Sequence, residues 1–401
     1  MGRGIGAPRV GIVGGGQLAR MLAEAASTLA VDVCVLAGSD EEVVAGLFEV
    51  RRADYRSLGP LVTLAEHCDV VTFDHEHVPT DLVEALERSG HTVRPSASAL
   101  RFADKACQRV RLAAAGLPVP RFAVVREVKE VERFAAAVGV WPLVLKPARG
   151  GYDGRGVHWV AGPEVAADLL GTGSPLEWVA EEPVHLDAEL AVLVVSSVDG
   201  RRLAYPVVQT VQRDGICVEL VVPAPQPATV LDAATELALE VAQTVGAVGV
   251  LAVELFLSEG RLMVNEVAPR PHNTGHYTIE AAVTSQFENH LRAVLGWPLG
   301  GTALRRPAAA MVNVLGGPDG TDPRRLLPEA LAVGGDLHVH LYGKTPRPGR
   351  KLGHVTALGD DPADALRRAR RAAAALGTPG LFEPDVAAGS REMARDGQAL
   401  C

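Results

Sequence analysis

Leu143-Val-Leu-Lys-Pro-Ala-Arg-Gly-Gly-Tyr-Asp-Gly-Arg-Gly-Val-His-Trp-Val160 is the stretch on which the reading of this chain turns. An apolar run reaches Lys146, a loop carries Gly150, Gly151, Gly154 and Gly156, and a second short apolar run follows. The pattern predicts two strands joined by a glycine-rich turn. Glycine lets backbone N–H groups approach an anion with no Cβ in the way. Lys146 and Arg155 add positive charge at either end, so a polyphosphate is the natural ligand. No Gly-Lys-Ser/Thr runs into a helix here, which excludes a Walker A loop. Taken alone, the stretch reads equally well as an ordinary glycine-rich hairpin.

Composition narrows the setting. A chain of 401 residues predicts two to three domains with ample core. The longest apolar candidate, residues 245–257, falls short of the ~18 residues of a membrane span and carries Glu254. Glycines and Pro8 lead directly into a first strand, without the charged-then-apolar pattern of a signal peptide. Cysteines 34, 68, 107, 217 and 401 form no Cys-x-x-Cys pair, which argues against a disulfide framework or zinc site and for a reducing cytoplasm. The net charge of −9 gives no support to nucleic-acid binding. Of 39 basic residues only five are lysine: Lys105, Lys129, Lys146, Lys344 and Lys351. Where arginine serves every general purpose, a retained lysine marks a place for a compact ammonium. Lys129, in a charged run, reads as a solvated helix face.

Taken in order, residues 9–13 predict a strand, residues 18–30 a helix and residues 31–37 a second strand. Gly14-x-Gly16-x-x-Ala19 lies at the first turn, with Asp40 as a loose match for the acidic residue of a dinucleotide fingerprint. Such a turn binds any anion at the helix N-terminus, a simple ribose phosphate included. Asp74-His-Glu-His77 follows another strand, where doubly wound sheets place ligands; Glu76 is expected to face substrate and its neighbours to be structural or solvated. Residues 91–95 read as a last strand of this domain. A single helix is expected over residues 98–115, with Arg101 and Lys105 one turn apart on one face. Residues 188–195 and 203–211 read as antiparallel strands about Asp199-Gly200, followed by a helix over 230–244.

Residues 250–257 and 261–267 form a predicted hairpin that brings Glu254 and Glu266 opposite or diagonal to one another. Bare like charges there are destabilising, and a divalent metal removes the conflict. The alternative is two carboxylates on opposite faces, one solvated and one paired. Arg270, His272, Asn273 and His276 crowd the loop that follows. Residues 343–354 hold five basic side chains in an acidic chain, either a phosphate-binding turn or a solvated one. Residues 367–375 read as a helix, and residues 385–401 as a tail with little core, possible disorder being the expectation.

Together these stretches resemble the ATP-grasp superfamily, and within it the N5-carboxyaminoimidazole ribonucleotide synthetases of purine biosynthesis. The resemblance spans roughly residues 8–384. It rests on Gly14-Gly-Gly-Gln-Leu-Ala-Arg20, Thr72-Phe-Asp-His-Glu-His-Val-Pro79, Gly150-Gly-Tyr-Asp-Gly-Arg-Gly156, Asn265-Glu-Val-Ala-Pro-Arg-Pro-His-Asn-Thr-Gly-His276 and Arg347-Pro-Gly-Arg-Lys-Leu-Gly-His354. It implies an α/β chain with the ATP-grasp fold: a Rossmann-like N-terminal substrate domain (1–102), a small central α+β lid (103–185), a C-terminal α+β domain (186–384) and a tail (385–401). It implies a cytoplasmic homodimer acting on small molecules, with neither nucleic acid nor membrane as partner.

Carried over by residue, the resemblance implies that Arg101, Lys146 and the loop Gly150, Gly151, Gly154, Arg155 and Gly156 contact ATP phosphates. Glu181, Glu182, Pro183 and Val184 would hold adenine and Glu189 the ribose. Glu254 and Glu266 would bind Mg²⁺ with Asn265 beside them. Gly15, Gly16, Gln17 and Leu18 would meet the 5′-phosphate of 5-aminoimidazole ribonucleotide together with Lys344, Arg350 and Lys351. Glu76, His272 and Asn273 would contact substrate, and Tyr152, Asp153, Arg270 and Lys344 would serve the chemistry. Lys105 is placed near the nucleotide without a role. Many relatives carry Glu-Asn-x-His or His-Asn-x-His where this chain has Gln209-Thr-Val-Gln212, so Gln209 is left out of the site. The implied reaction is ATP-dependent carboxylation of the ribonucleotide's amine by bicarbonate through carboxyphosphate. The alternatives are a ligase of the formate-dependent glycinamide ribonucleotide transformylase or biotin carboxylase type, an NAD-dependent oxidoreductase, and a nucleotide-binding module without turnover.

Overall fold

The computed structural model describes residues 6–38, 49–150, 156–171 and 177–378. Asp40, residues 151–155 of the glycine loop and the tail after Asp385 lie outside the described residues. Among the described residues the strands form three sheets, and no helix is long and apolar enough to cross a membrane.

The first sheet is parallel: β1 (Arg9–Val13), β2 (Asp32–Ala37), β3 (Glu49–Arg52) and β4 (Val70–Phe73), in the order β3-β2-β1-β4. Helix Gln17–Thr28 crosses between β1 and β2, the expected βαβ opening. From Val10 onward β1 is buried, as is all of β4, because helices cover both faces of a parallel sheet. The expected strand at 91–95 is reduced to a single bridge from Val93 to Val71, and Pro95 has no N–H with which to extend it.

The second sheet is antiparallel: β5 (Phe122–Val125), β6 (Leu143–Pro147), β7 (His158–Val160) and β8 (Trp178–Glu181), in the order β5-β8-β6-β7. Strands β6 and β7 flank the glycine loop as the sequence predicts. Helices Val128–Val138 and Pro163–Leu170 cover the sheet through Val131, Ala135, Ala166 and Leu170. Lys129 is exposed on the first of them.

The third sheet carries β9 (Ala188–Ser196), β10 (Arg202–Ala204), β11 (Val208–Arg213), β12 (Ile216–Val222), β13 (Gly249–Ser258), β14 (Arg261–Ala268), β15 (Ala308–Leu315), β16 (Leu337–Leu341) and β17 (Lys351–Gly359). Central strand β9 is a nearly unbroken apolar run because both its faces are covered. Leu190, Val192 and Val194 meet helix Ala228–Val245, while Leu193 and Val195 meet Ala293 of helix Gln286–Leu295. The strand expected over 203–211 is interrupted at Tyr205-Pro206: β10 and β11 both pair with β9 but are separate. At the far edge, helix Pro362–Ala375 lays Ala365, Ala369, Ala372 and Ala373 on β15 and β17. Asp361 caps it, accepting from the N–H groups of Ala363 and Asp364.

Helix Gln286–Leu295 also docks the first sheet. Phe287, Leu291 and Val294 are buried among Val10, Ile12, Leu22 and Val70, each worth about 1.5–3 kcal/mol of apolar burial. His290 accepts from the Val250 N–H at Nδ1 (3.1 Å), so its Nε2 donates to Thr72 Oγ1 (2.8 Å). Burial pushes this imidazole down to about 3, which keeps it neutral.

The single helix expected over 98–115 is three pieces: helix Ala97–Leu100, a 3₁₀ turn Arg101–Ala103 and helix Lys105–Ala114. Asp104 ends one piece and starts the next by accepting from the Cys107 N–H at 3.0 Å. Arg101 and Lys105 therefore do not share a helix face.

A buried polar chain holds the turn after β10 against the third sheet's helices. Tyr205 Oη donates to the Thr284 carbonyl (3.0 Å) and accepts from Asn289 Nδ2 (2.8 Å), and Asn289 Oδ1 accepts from the Gly300 N–H (2.8 Å). Asn289→Ala orphans the Gly300 donor and should cost about 2–3 kcal/mol. Urea denaturation measures this; a loss below half a kilocalorie would show the chain to be dispensable.

Candidate active site

The three sheets meet around a cleft of about 1090 Å³. Its first wall comes from the C-terminal ends of parallel strands. Gly16, Gln17 and Leu18 follow β1, and Asp74, His75, Glu76 and His77 follow β4. Gly15 sits within the same turn. Asp74 ties the two loops together, its Oδ2 accepting from the Gly16 N–H at 2.7 Å. The approach admits no side chain at residue 14: Gly14 has φ +106°, and a Cβ there would lie 1.6 Å from Asp74 Oδ1. Asp74 is therefore structural, as expected; His75 and His77 also line the cleft, His75 half-buried and His77 exposed.

Glu76 crosses to the third sheet. Its two oxygens accept from Arg270, Nη2 to Oε1 at 3.0 Å and Nε to Oε2. Burial opposes ionisation of Glu76, yet the Arg270 charge and its hydrogen bonds outweigh it and hold the carboxyl down at about 2. The pair is a bidentate fork with a fixed plane.

Glu254 and Glu266 face one another directly across β13 and β14, the conflict foreseen in the sequence. A β-bulge follows at once, Leu255 pairing with Val264, so Asn265 and Glu266 oppose a single residue. In a regular strand neighbours point to opposite faces. Here both Asn265 and Glu266 line the cleft. Burial, then the charges of Glu266 and Glu189, push the Glu254 carboxyl up to about 7. Lys105 donates to Glu266 Oε1 at 2.7 Å. His272 Nε2 lies 3.6 Å from Glu254 Oε1, and burial followed by the charges of Arg270 and Lys351 pushes its imidazole down to about 3. Among the described residues no group of three ligating side chains could hold a metal alone. Two carboxylates suit Mg²⁺, which typically completes its shell with water and substrate phosphates.

Lys146 stands between the sheets, its Nζ 2.7 Å from Glu181 Oε2 and 3.3 Å from Asn265 Oδ1. The other oxygen of Glu181 accepts from Arg109 Nε at 2.6 Å. Burial raises Glu181, and the charges of Arg109 and Lys146 overcome it and hold the carboxyl below its usual range. Both oxygens of Glu181 are engaged, one by Lys146 and one by Arg109, at the cleft wall. Gly150, Gly156, Glu182, Val184 and Glu189 also line the cleft, with Pro183 inside the same segment. Burial raises the Glu189 carboxyl.

The basic turn supplies Lys344, Arg350 and Lys351. Lys344 Nζ meets Gln17 Oε1, which brings the turn onto the first glycine loop, and Arg350 Nη1 donates to the Thr345 carbonyl at 3.1 Å. Asn273 lines the cleft with a buried amide whose nitrogen and oxygen have no hydrogen-bond partner among the described residues.

One expectation is corrected. Arg101 is not among the described residues lining the cleft; its side chain is 50% exposed and paired with Glu84. The helix break at Asp104 turns it away and leaves Lys105 in the cleft. Gly151, Tyr152, Asp153, Gly154 and Arg155 lie outside the described residues. The sequence reading missed Val144, Trp159, Leu186 and Phe256, which give the cleft an apolar side near Glu182 and Glu189. Phe256 was legible, since two residues beyond Glu254 is the same face of a strand. Gln209 accepts from Gln226 Nε2 at 2.8 Å, whereas Gln212 lines the cleft beside Asp214 and Cys217. Three residues apart on one strand, the two side chains fall on opposite faces, and a register shift lies between them, Val211 pairing with Glu219 and Gln212 with Cys217.

Comparison with known proteins agrees with this geometry. Residues 8–104 match the ribonucleotide synthetase preATP-grasp domain, residues 110–287 the ATP-grasp domain, and residues 309–368 the phosphoribosylaminoimidazole carboxylase C-terminal domain. The N5-carboxyaminoimidazole ribonucleotide synthase of Mycobacterium tuberculosis is 48% identical over 377 residues, covering 92% of this chain and 87% of that protein. A crystal structure of the Aspergillus clavatus enzyme with ADP and 5-aminoimidazole ribonucleotide superposes with a TM-score of 0.82 at 32% identity, covering 92% of this chain and 99% of that one. The Thermus thermophilus synthetase superposes with a TM-score of 0.81 at 35% identity, covering 94% and 99%.

The raised Glu254 carboxyl has a measurable consequence. A carboxyl lifted from 4.5 to about 7 adds stability that is present below its unfolded value and lost as pH rises through about 7. With nucleotide and metal absent, Glu254→Gln should melt close to wild type at pH 5 and increasingly above it between pH 6 and 8. Paired thermal melts in chelator test this, and a gap independent of pH would remove the assignment.

Proposed function

The chain belongs to the N5-carboxyaminoimidazole ribonucleotide synthase family, and on that premise we propose how its cleft does the family's work. It is an ATP-dependent ligase that carboxylates 5-aminoimidazole ribonucleotide in purine biosynthesis, ATP going to ADP and phosphate. One observation carries the assignment of roles. A basic turn on the first glycine loop and a pair of opposed carboxylates between two lysines share one cleft.

The ribonucleotide's 5′-phosphate is assigned to Gly15, Gly16, Gln17 and Leu18 with Lys344, Arg350 and Lys351. The start of helix Gln17–Thr28, whose N-cap Gly16 offers no side-chain cap, suits an anion. Glu76 faces the sugar, held in place by Arg270. ATP is assigned to the opposite end. Lys146 and the loop 150–156 meet its phosphates, and Lys105 takes the place first given to Arg101. The backbone of Glu182–Val184 meets adenine against Val144, Leu186 and Phe256, and Glu189 meets the ribose. Glu254 and Glu266 would hold Mg²⁺, which supplies neutralisation of phosphate charge when bound.

Bicarbonate is a poor electrophile. Transfer of the γ-phosphoryl group to one of its oxygens makes carboxyphosphate, with ADP leaving; attack by the exocyclic amine then forms the C–N bond and releases phosphate. Phosphoryl transfer asks the protein mainly for position and compensating charge, which Lys105 and Lys146 provide. Arg270, neutral His272 and the unpaired Asn273 amide provide donors for the bicarbonate oxygens. Carboxyphosphate must be kept from water; the resemblance gives Tyr152 and Asp153, outside the described residues, a role toward the amine. The division into residues 1–102, 103–185, 186–384 and 385–401, the homodimer and the cytoplasmic setting belong to the same proposal.

ADP release with Mg-ATP and bicarbonate should be strongly stimulated by 5-aminoimidazole ribonucleotide, and Glu266→Gln should abolish the stimulation. Stimulation that survives the substitution removes the metal assignment. Lys105→Met should raise KM for ATP at least about tenfold, as loss of a charged contact to substrate does. Arg101→Met should change it less than about twofold, since an exposed pair contributes little. The reverse order would return Arg101 to the site.

A further inference from the structure

Arg109 lies one helical turn beyond Lys105 on helix Lys105–Ala114, and the mechanism above gives it nothing to do. It is not among the described residues lining the cleft. Its side chain is 3% exposed, against 4% for Glu181. Five polar links form a circuit through it, from β14 back to β14. Gln108 Nε2 donates to the Phe102 carbonyl (2.7 Å) and the Val267 carbonyl on β14 (3.3 Å). Arg109 Nη1 donates to Gln108 Oε1 (3.3 Å) and its Nε to Glu181 Oε1 (2.6 Å). Glu181 Oε2 holds Lys146 Nζ (2.7 Å), and Lys146 returns to β14 through Asn265 Oδ1 (3.3 Å). The circuit leaves the third sheet, enters the second at β8 and β6, and comes back beside Glu266.

Charge explains why an arginine stands there. A buried carboxylate needs a cation, and Lys146 alone would meet that need. The pair would then be neutral, its ammonium drawn onto Glu181 with little left for a phosphate. With Arg109 present two cations share one carboxylate, and the cluster keeps one net positive charge. Arg109 is sealed behind the wall, so that charge is available only through Lys146. The planar guanidinium also fixes the direction of the carboxylate it binds.

We infer that Arg109 is a positioning residue for ATP: it anchors Glu181 so that Lys146 is held at the cleft with its charge uncompensated. The inference rests on the reading that Lys146 meets ATP phosphates. A fastener that merely joins the second sheet to the third would share the burial and the distances but not the charge effect.

Steady-state kinetics and ADP titration calorimetry on Arg109→Met, Arg109→Gln, Arg109→Lys and Lys146→Met separate these. Arg109→Met and Arg109→Gln should raise KM for ATP and weaken ADP binding about 10- to 100-fold, as expected when one member of a buried charge cluster is lost. KM for 5-aminoimidazole ribonucleotide should stay within about twofold, and Arg109→Lys should recover most of the ATP affinity because it keeps the charge. Lower melting temperatures with both KM values unchanged, or with Lys no better than Gln, would overturn the inference and leave a fastener. If Arg109→Met does not fold, the Lys and Gln variants make the same comparison. Lys146→Met that leaves ATP affinity intact would instead refute the phosphate reading of Lys146 itself, an outcome distinct from an intact Arg109→Met beside a damaged Lys146→Met.

Discussion

Two carboxylates placed face to face on neighbouring strands organise this molecule. Glu254 and Glu266 are opposite partners of β13 and β14, with Glu189 of the next strand near enough to raise Glu254 further. A hairpin gains nothing from such a pair, so the fold tolerates it only where positive charge can be brought. Lys105 arrives on Glu266 from a helix that packs against β14, and His272 stands beside Glu254 from the loop after β14. Glu254, Glu266, Lys105 and His272 all line the cleft.

The surrounding architecture builds that cleft in two ways. Helix Gln286–Leu295 fixes the first sheet to the third, with Phe287, Leu291 and Val294 in one apolar cluster with β1 and β4. That docking carries the Gly14–Gln17 turn to Lys344, and Glu76 to Arg270. On the opposite side, polar rather than apolar contacts join the second sheet to the third: Arg109, Glu181, Lys146 and Asn265.

Strand–turn–helix order was legible because it rests on local periodicity. The βαβ opening, the strands on either side of the glycine loop and the β13–β14 hairpin all stand where alternation and glycine placement put them. The chain's preference for arginine made its few lysines informative, and Lys105, Lys146, Lys344 and Lys351 all line the cleft. Arg109 carried no such signal, since one buried arginine looks like any other in an arginine-rich sequence. The resemblance placed Arg101 at the phosphates, and the expected helix through Asp104 put it on one face with Lys105; the Asp104 side chain caps a new helix instead.

The sequence by itself determined the fold class, the residue types at each end of the cleft and the hairpin that carries Glu254 and Glu266, since these depend on short-range pattern and on motifs within single segments; the direct opposition of the two came from the register. Tertiary structure alone decided which side chains converge. The bulge at Asn265 leaves both Asn265 and Glu266 lining the cleft. A one-residue slip in pairing moves side chains to the other face of a strand. The pairings of Glu76 with Arg270, 194 residues apart, and of Lys344 with Gln17, 327 apart, follow from how separate sheets dock. Docking depends on apolar faces brought together from distant segments, which no local stretch of sequence encodes.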